Sequence, residues 1–153
     1  MIAEGRFSPS QVKPRVTPAR GDIRLHAKDA QIHGKTLRYE PQPNKDVLGY
    51  WTDVNDWAEW TFETPAAGVY EVEVQQGCGD GSGGTEVGVV ADNQRLKFTV
   101  QETGHFQSFI LRVIGDVNLS AGPHTLAVKP RTKPGAAVMD LRRVVLRPAG
   151  EVE

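Results

Sequence analysis

The sequence holds one cysteine, Cys78, so no disulfide can form within the chain, and a lone thiol of this kind reads as a small, buried or half-buried side chain. Net charge is nearly absent: 18 basic and 19 acidic residues leave −1 at pH 7. Without a long-range field to draw a polyanion, nucleic acid and anionic membrane surfaces are not expected partners. No stretch approaches the roughly 18 apolar residues of a membrane-spanning helix. The amino terminus also lacks the basic-then-apolar pattern of a signal peptide, so an exported protein would carry its signal in sequence beyond this chain.

Helical patterning is missing as well, since no window carries an apolar stripe of period 3.6 over three turns. The apolar residues instead alternate with polar ones in short runs, the pattern of half-buried strands. The clearest are Tyr70 to Val74, Leu96 to Val100, Phe109 to Val113 and His124 to Val128. Breakers separate them: Pro65 to Gly68, Gly77 to Gly84, Asp92-Asn93, Gly104, Gly122-Pro123 and Lys133-Pro134-Gly135. One-sided strands must bury their apolar faces against one another, which predicts an all-β fold of two antiparallel sheets, a jelly-roll sandwich, over residues 23–149. Residues 1–22, with three prolines between Ser8 and Arg20 and no apolar periodicity, are expected to form a flexible arm or linker.

Enzyme signatures are also lacking. No G-x-S-x-G elbow, catalytic-cysteine signature or kinase motif occurs, although a hydrolase built on two carboxylates from distant positions that converge in a cleft stays open. His26, His33, His105 and His124 do not repeat at metal-ligand spacing, so zinc is not expected. The run Gly77-Cys78-Gly79-Asp80-Gly81-Ser82-Gly83-Gly84 is glycine-rich enough to suggest an anion cradle, but a strand follows it where a phosphate loop needs Lys-Ser/Thr and a helix. It reads instead as one long loop at the sandwich rim, with Asp80 as a candidate contact.

Aromatic residues are sparse, at 7%, yet Tyr50, Trp51, Trp57 and Trp60 fall close together. Ala58, Trp60 and Phe62 share one face of a strand and read as core. Tyr50 and Trp51 are adjacent, so in an extended chain one of the two faces outward. There it either covers a sheet edge or stacks on the apolar face of a sugar ring. His105, in the polar turn Thr103-Gly104-His105-Phe106-Gln107, is a ligand-contact candidate or a solvated loop side chain.

From about Ile23 to Pro148 the chain resembles the galactose-binding-like carbohydrate-binding modules, especially families 6 and 35, and the accessory modules of bacterial sulfatases and glycoside hydrolases. The matching pieces are Leu25 to Ala30, Asp56-Trp57-Ala58-Glu59-Trp60-Thr61-Phe62, Ala67 to Val74, Thr103-Gly104-His105-Phe106, Leu119 to Leu126 and Val138-Met139-Asp140-Leu141. The resemblance implies a non-catalytic module that holds a polysaccharide or glycan near a catalytic domain, within a longer, exported bacterial chain. The alternative is a structural or interaction sandwich that packs against a neighbouring domain and binds no sugar.

The same resemblance places the ligand among loops at one end, with Trp51 or Tyr50 as one aromatic wall and Phe106 as the other. Val138-Met139 stands where the family often has an asparagine before the late aspartate, and Arg131 with Lys133 could replace it, favouring an acidic or sulfated sugar. Such modules commonly hold a structural calcium through an early Glu-Ala-Glu segment and a late aspartate. This sequence has His26-Ala27-Lys28 and Asp140, so that structural calcium is expected to be absent and no other cofactor is expected, with Lys28 either paired to Asp140 in its place or pointing to solvent, while calcium at the ligand site stays open.

Overall fold

The computed structural model describes residues 21–149, so the expected arm over residues 1–22 lies outside the described residues except for Gly21 and Asp22. Among the described residues eleven strands form two antiparallel sheets. The first sheet takes β3 (Arg38–Glu40), β4 (Val47–Gly49), β11 (Asp140–Pro148), β6 (Gly68–Cys78) and β9 (His105–Leu119) in that order, with β1 (Ile23–His26) beside β11. The second runs β2 (Gln31–His33), β5 (Trp57–Thr64), β10 (Gly122–Pro130), β7 (Glu86–Ala91) and β8 (Gln94–Thr99). One 3-10 turn, Ala27–Asp29, is the only helical element among the described residues.

Alternation explains the sandwich. Tyr70, Val72 and Val74 of β6 with Val144 and Leu146 of β11 face Ala58 and Trp60 of β5, Leu126 and Val128 of β10, and Val87 and Val89 of β7. Each large side chain removed from water in this way contributes about 1.5–3 kcal/mol. The polar ends of two core aromatics are paired: Trp60 Nε1 donates to the His26 carbonyl at 2.8 Å and Tyr70 Oη to the Ala66 carbonyl at 2.7 Å.

Two expectations need correction. The glycine-rich run is not all loop, because β6 continues through Gly77 and Cys78 and pairs with β11 and β9. The strand expected at Phe109 to Val113 is only the middle of β9, whose apolar alternation is broken by register shifts against β6 between Val72 and Glu73 and again between Gly77 and Cys78. Three short strands, β2, β3 and β4, have three residues each, too few to show alternation.

The register fixes which loops gather together. Strands β4, β6, β8 and β10 run toward one end, and β5, β7, β9 and β11 start from it. The connections 50–56, 79–85, 100–104 and 131–139 therefore meet at that end, and the short turns 65–67, 92–93 and 120–121 lie at the other.

Candidate functional site

At the loop-rich end lies a cavity of about 260 Å³, lined on its aromatic side by Tyr50, Trp51 and Phe106 and on its polar side by Glu40, Lys45, Thr52, Gln107 and Asp140. Trp51 is fully buried and forms a floor rather than a wall, its indole N–H donating to the Asp56 carbonyl at 2.8 Å. Tyr50 is 55% exposed and holds a left-handed φ of 53°, a strained conformation for a non-glycine residue that turns its ring away from the core. The Arg38 guanidinium carbon lies 3.9 Å from the Tyr50 ring centre and restrains it from one face.

Phe106 reaches the cavity because glycine lies beneath it. A methyl group at Gly79 would come 2.7 Å from Phe106 Cε2, closer than carbon atoms can pack. The glycine-rich segment thus makes room for an aromatic ring. Its amides are engaged elsewhere: Gly81 N and Gly83 N both donate to Glu102 Oε2 at 3.0 Å. The anion cradle that the glycines could form is filled by a carboxylate of the chain itself. Gln76, fully buried on β6, holds the 100–104 connection by exchanging side-chain hydrogen bonds with the backbone of Gln101 at 2.9 and 3.1 Å, which fixes the loop leading to Phe106. Arg142 donates to the carbonyls of Asn44 and Lys45, the latter at 2.6 Å from Nη2, and so holds down the turn that carries Lys45.

The polar side is acidic. Glu40 and Asp140 are each only 6% exposed. A methyl at Gly49 would meet Glu40 Oε1 at 2.3 Å and Asp140 Oδ1 at 3.4 Å, so the two carboxylates converge over this glycine. Arg38 and Lys45 approach Glu40 Oε2 at 3.3 and 3.9 Å. Asp140 Oδ2 accepts from Gln107 Nε2 at 3.1 Å. Burial, and then the neighbouring Glu40 charge, push the Asp140 carboxyl up to about 6 against the opposing Gln107 bond and Lys45 charge.

Of the residues singled out from sequence, Tyr50, Trp51 and Phe106 meet at this cavity, while His105, at the start of β9, and Asp80 and Arg131, on neighbouring loops, stay outside its lining. His105 shapes its own turn, its Nδ1 accepting from the Gln107 amide at 3.1 Å. Arg131 is exposed, its backbone N–H donating to the Glu86 carbonyl at 2.7 Å. Lys133 Nζ donates to the Gly135 carbonyl at 3.0 Å. Val138 and Met139 are core, which leaves no hydrogen-bonding side chain just before Asp140. Trp57 is turned to the outer face of the second sheet, stacked on His33 at 4.1 Å.

The expected Lys28 to Asp140 pair does not form: Lys28 is exposed on the 3-10 turn, and Asp140 faces the cavity. Among the described residues no three His, Cys, Asp or Glu side chains converge as metal ligands. The residues sequence reasoning missed are Glu40, Lys45 and Gln107. Glu40 and Lys45 come from a hairpin too short to be read from alternation, and Gln107 follows a polar turn whose composition carries no signal of a site.

No family model and no curated protein matches the sequence. Solved structures do match the fold. A GH26-CBM35 β-(1,4)-mannanase of Podospora anserina superimposes with a TM-score of 0.65 at 17% identity, over 87% of this chain and 29% of the mannanase chain. This chain thus spans less than a third of that enzyme. A family 35 carbohydrate binding module from Clostridium thermocellum gives a TM-score of 0.66 at 16% identity, covering 84% of this chain and 98% of its own. The carbohydrate binding module CBM6cm-2 from the Cellvibrio mixtus lichenase 5A, in complex with cellotriose, gives 0.63 at 20% identity over 84% and 98%. The fold is therefore that of the sandwich modules of families 6 and 35. No helix among the described residues is long and apolar enough to cross a membrane.

Proposed function

We propose that this chain is a non-catalytic carbohydrate-binding module whose ligand enters the cavity between Tyr50 and Phe106. The observation that carries this reading is the cavity itself: an exposed aromatic and a half-buried one border a space with a fully buried indole at its floor and hydrogen-bonding side chains on one flank. Sugar rings have apolar faces that stack on such rings and hydroxyls that pair with such groups. The fold likeness to modules that occur with glycoside hydrolases supports a role in which binding raises the local concentration of polysaccharide around a catalytic domain of a longer, exported chain.

An acidic or sulfated ligand draws no support from the lining. Arg131 and Lys133 lie outside it, and its one ammonium, Lys45, faces Glu40. We read the fold as independent of structural calcium, because the early acidic segment is absent and the His26 carbonyl is taken by Trp60. The structural alternative draws on Leu111 and Val113 of β9, which are 62% and 53% exposed and could meet a neighbouring domain.

Binding of the wild-type domain to a panel of immobilised glycans, beside Tyr50→Ala and Phe106→Ala, tests the reading. Both substitutions leave the buried floor intact. Binding by the wild type that both folded variants lose supports a sugar site here. No binding to any glycan transfers the weight to the interaction face on β9.

A further inference from the structure

The charges around the cavity are unevenly paired. Both cations that approach its carboxylates, Arg38 and Lys45, lie against Glu40. Asp140 has no cation within 4.0 Å among the described residues, and its one side-chain hydrogen bond there comes from the neutral amide of Gln107. Its Oδ1 accepts no hydrogen bond from a described side chain and points toward the space shared with Glu40 and Gly49. A carboxylate this deeply buried is unfavourable unless a positive group or several donors compensate it. The raised Asp140 carboxyl, at about 6, records that cost, and the group is still mostly ionised above neutral pH.

We propose that the cavity selects a cationic amino sugar, a hexose carrying a free ammonium group, with Asp140 as the residue that receives the ammonium and Tyr50 and Phe106 flanking the ring. This rests on the carbohydrate reading above and narrows it. A cavity of about 260 Å³ suits one ring rather than an extended peptide. An ammonium needs one carboxylate and ordinary acceptors, whereas a divalent cation needs a larger set of oxygen ligands than the described side chains bring together. The flanking aromatic rings favour a cation and the apolar face of a sugar alike. An acetylated nitrogen would leave Asp140 uncompensated, and a sulfate or uronate would add a third negative charge.

The test is titration calorimetry on the wild-type domain at pH 6.5 in EDTA, where the carboxylate and the sugar ammonium are both charged to a large extent, with three matched oligosaccharides as probes: fully deacetylated chitotetraose, N-acetylchitotetraose and cellotetraose. The deacetylated probe is expected to bind about tenfold or more tightly than the other two, the gain of one charge-assisted hydrogen bond in a desolvated site. In Asp140→Asn, checked for folding by thermal unfolding, that ratio falls toward one. The selectivity of the wild type requires no variant, so misfolding of Asp140→Asn would leave the test intact. Cellotetraose binding as well as the deacetylated probe overturns the amino-sugar inference and leaves the carbohydrate reading standing. Tetralysine binding as tightly as the deacetylated probe overturns it as mere cation capture. Binding that appears only when calcium replaces EDTA also overturns it. Absence of binding by all three sugars and by a wider glycan panel overturns both readings together.

Discussion

Phe106 sits over Gly79 at a distance that no side chain at position 79 could share: an added methyl would lie 2.7 Å from the ring. The relationship ties the glycine-rich segment to the cavity wall. Gly79→Ala is expected to displace Phe106 and cost about 1–3 kcal/mol of stability, the usual penalty for overpacking. Ligand affinity should fall with it. Thermal unfolding and calorimetry on the same preparation measure both. Unchanged affinity with lowered stability would show that Phe106 is not a ligand wall.

Asp56 holds the 35–37 segment through three backbone amides, Lys35 at 2.9, Thr36 at 2.9 and Leu37 at 3.0 Å. Burial alone would raise its carboxyl, but these bonds outweigh it and keep it below the ordinary aspartate value. A folded value below the unfolded one means that this group stabilises the fold above about pH 4 and that the contribution is lost as pH falls through the folded value. Asp56→Ala orphans three donors and is expected to cost about 3 kcal/mol or more. Acid titration of the two proteins should show a stability gap that narrows below pH 4. A gap that stays constant to pH 2 would reject the assignment.

The sandwich was legible because alternation in Tyr70 to Val74 and His124 to Val128 survives in single strands that each bury one face. The loop-rich end was legible from where the breakers fall, and the aromatic side of the cavity from the rarity of aromatic residues. Its acidic side was not. Glu40 and Asp140 are 100 residues apart and meet only because Leu141 pairs with Leu48 beside the β3–β4 hairpin, a long-range register that no local pattern encodes. Arg131 was misplaced for the complementary reason. Proximity in sequence to Asp140 suggested a shared site, but the 131–139 segment crosses between sheets and carries Arg131 to the second.

At the opposite end, His124 is buried with Nδ1 2.6 Å from Asp92 Oδ2 and Nε2 2.7 Å from the Ser120 carbonyl. Burial works to lower its basicity, but the Asp92 bond, the Ser120 carbonyl and the Asp92 charge together raise it. A raised folded value stabilises the fold below about pH 6.5, and the contribution disappears as pH rises through the folded value. Stability should therefore decline from pH 6 toward pH 9, and His124→Gln should flatten that slope. Denaturant unfolding at pH 6 and pH 9 measures it. An equal slope in both proteins would place the titration elsewhere.

Calcium is expected to leave stability unchanged. The ion needs six to eight oxygen ligands, and the early strand offers the cavity none: the His26 carbonyl accepts from Trp60, Lys28 is exposed, and Asp140 is turned to Gln107. A site half-formed by the backbone would still reveal itself thermodynamically, because an ion that binds only the folded state at 100 times its dissociation constant adds about 2.7 kcal/mol. For a domain of this size that corresponds to a rise of roughly 5–10 °C in the unfolding midpoint. Midpoints in EDTA and in millimolar calcium should agree within about 1 °C. A rise of several degrees would mean that backbone carbonyls and water complete a site around one or two carboxylates, and Asp140→Asn would then show whether the late aspartate is one of its ligands.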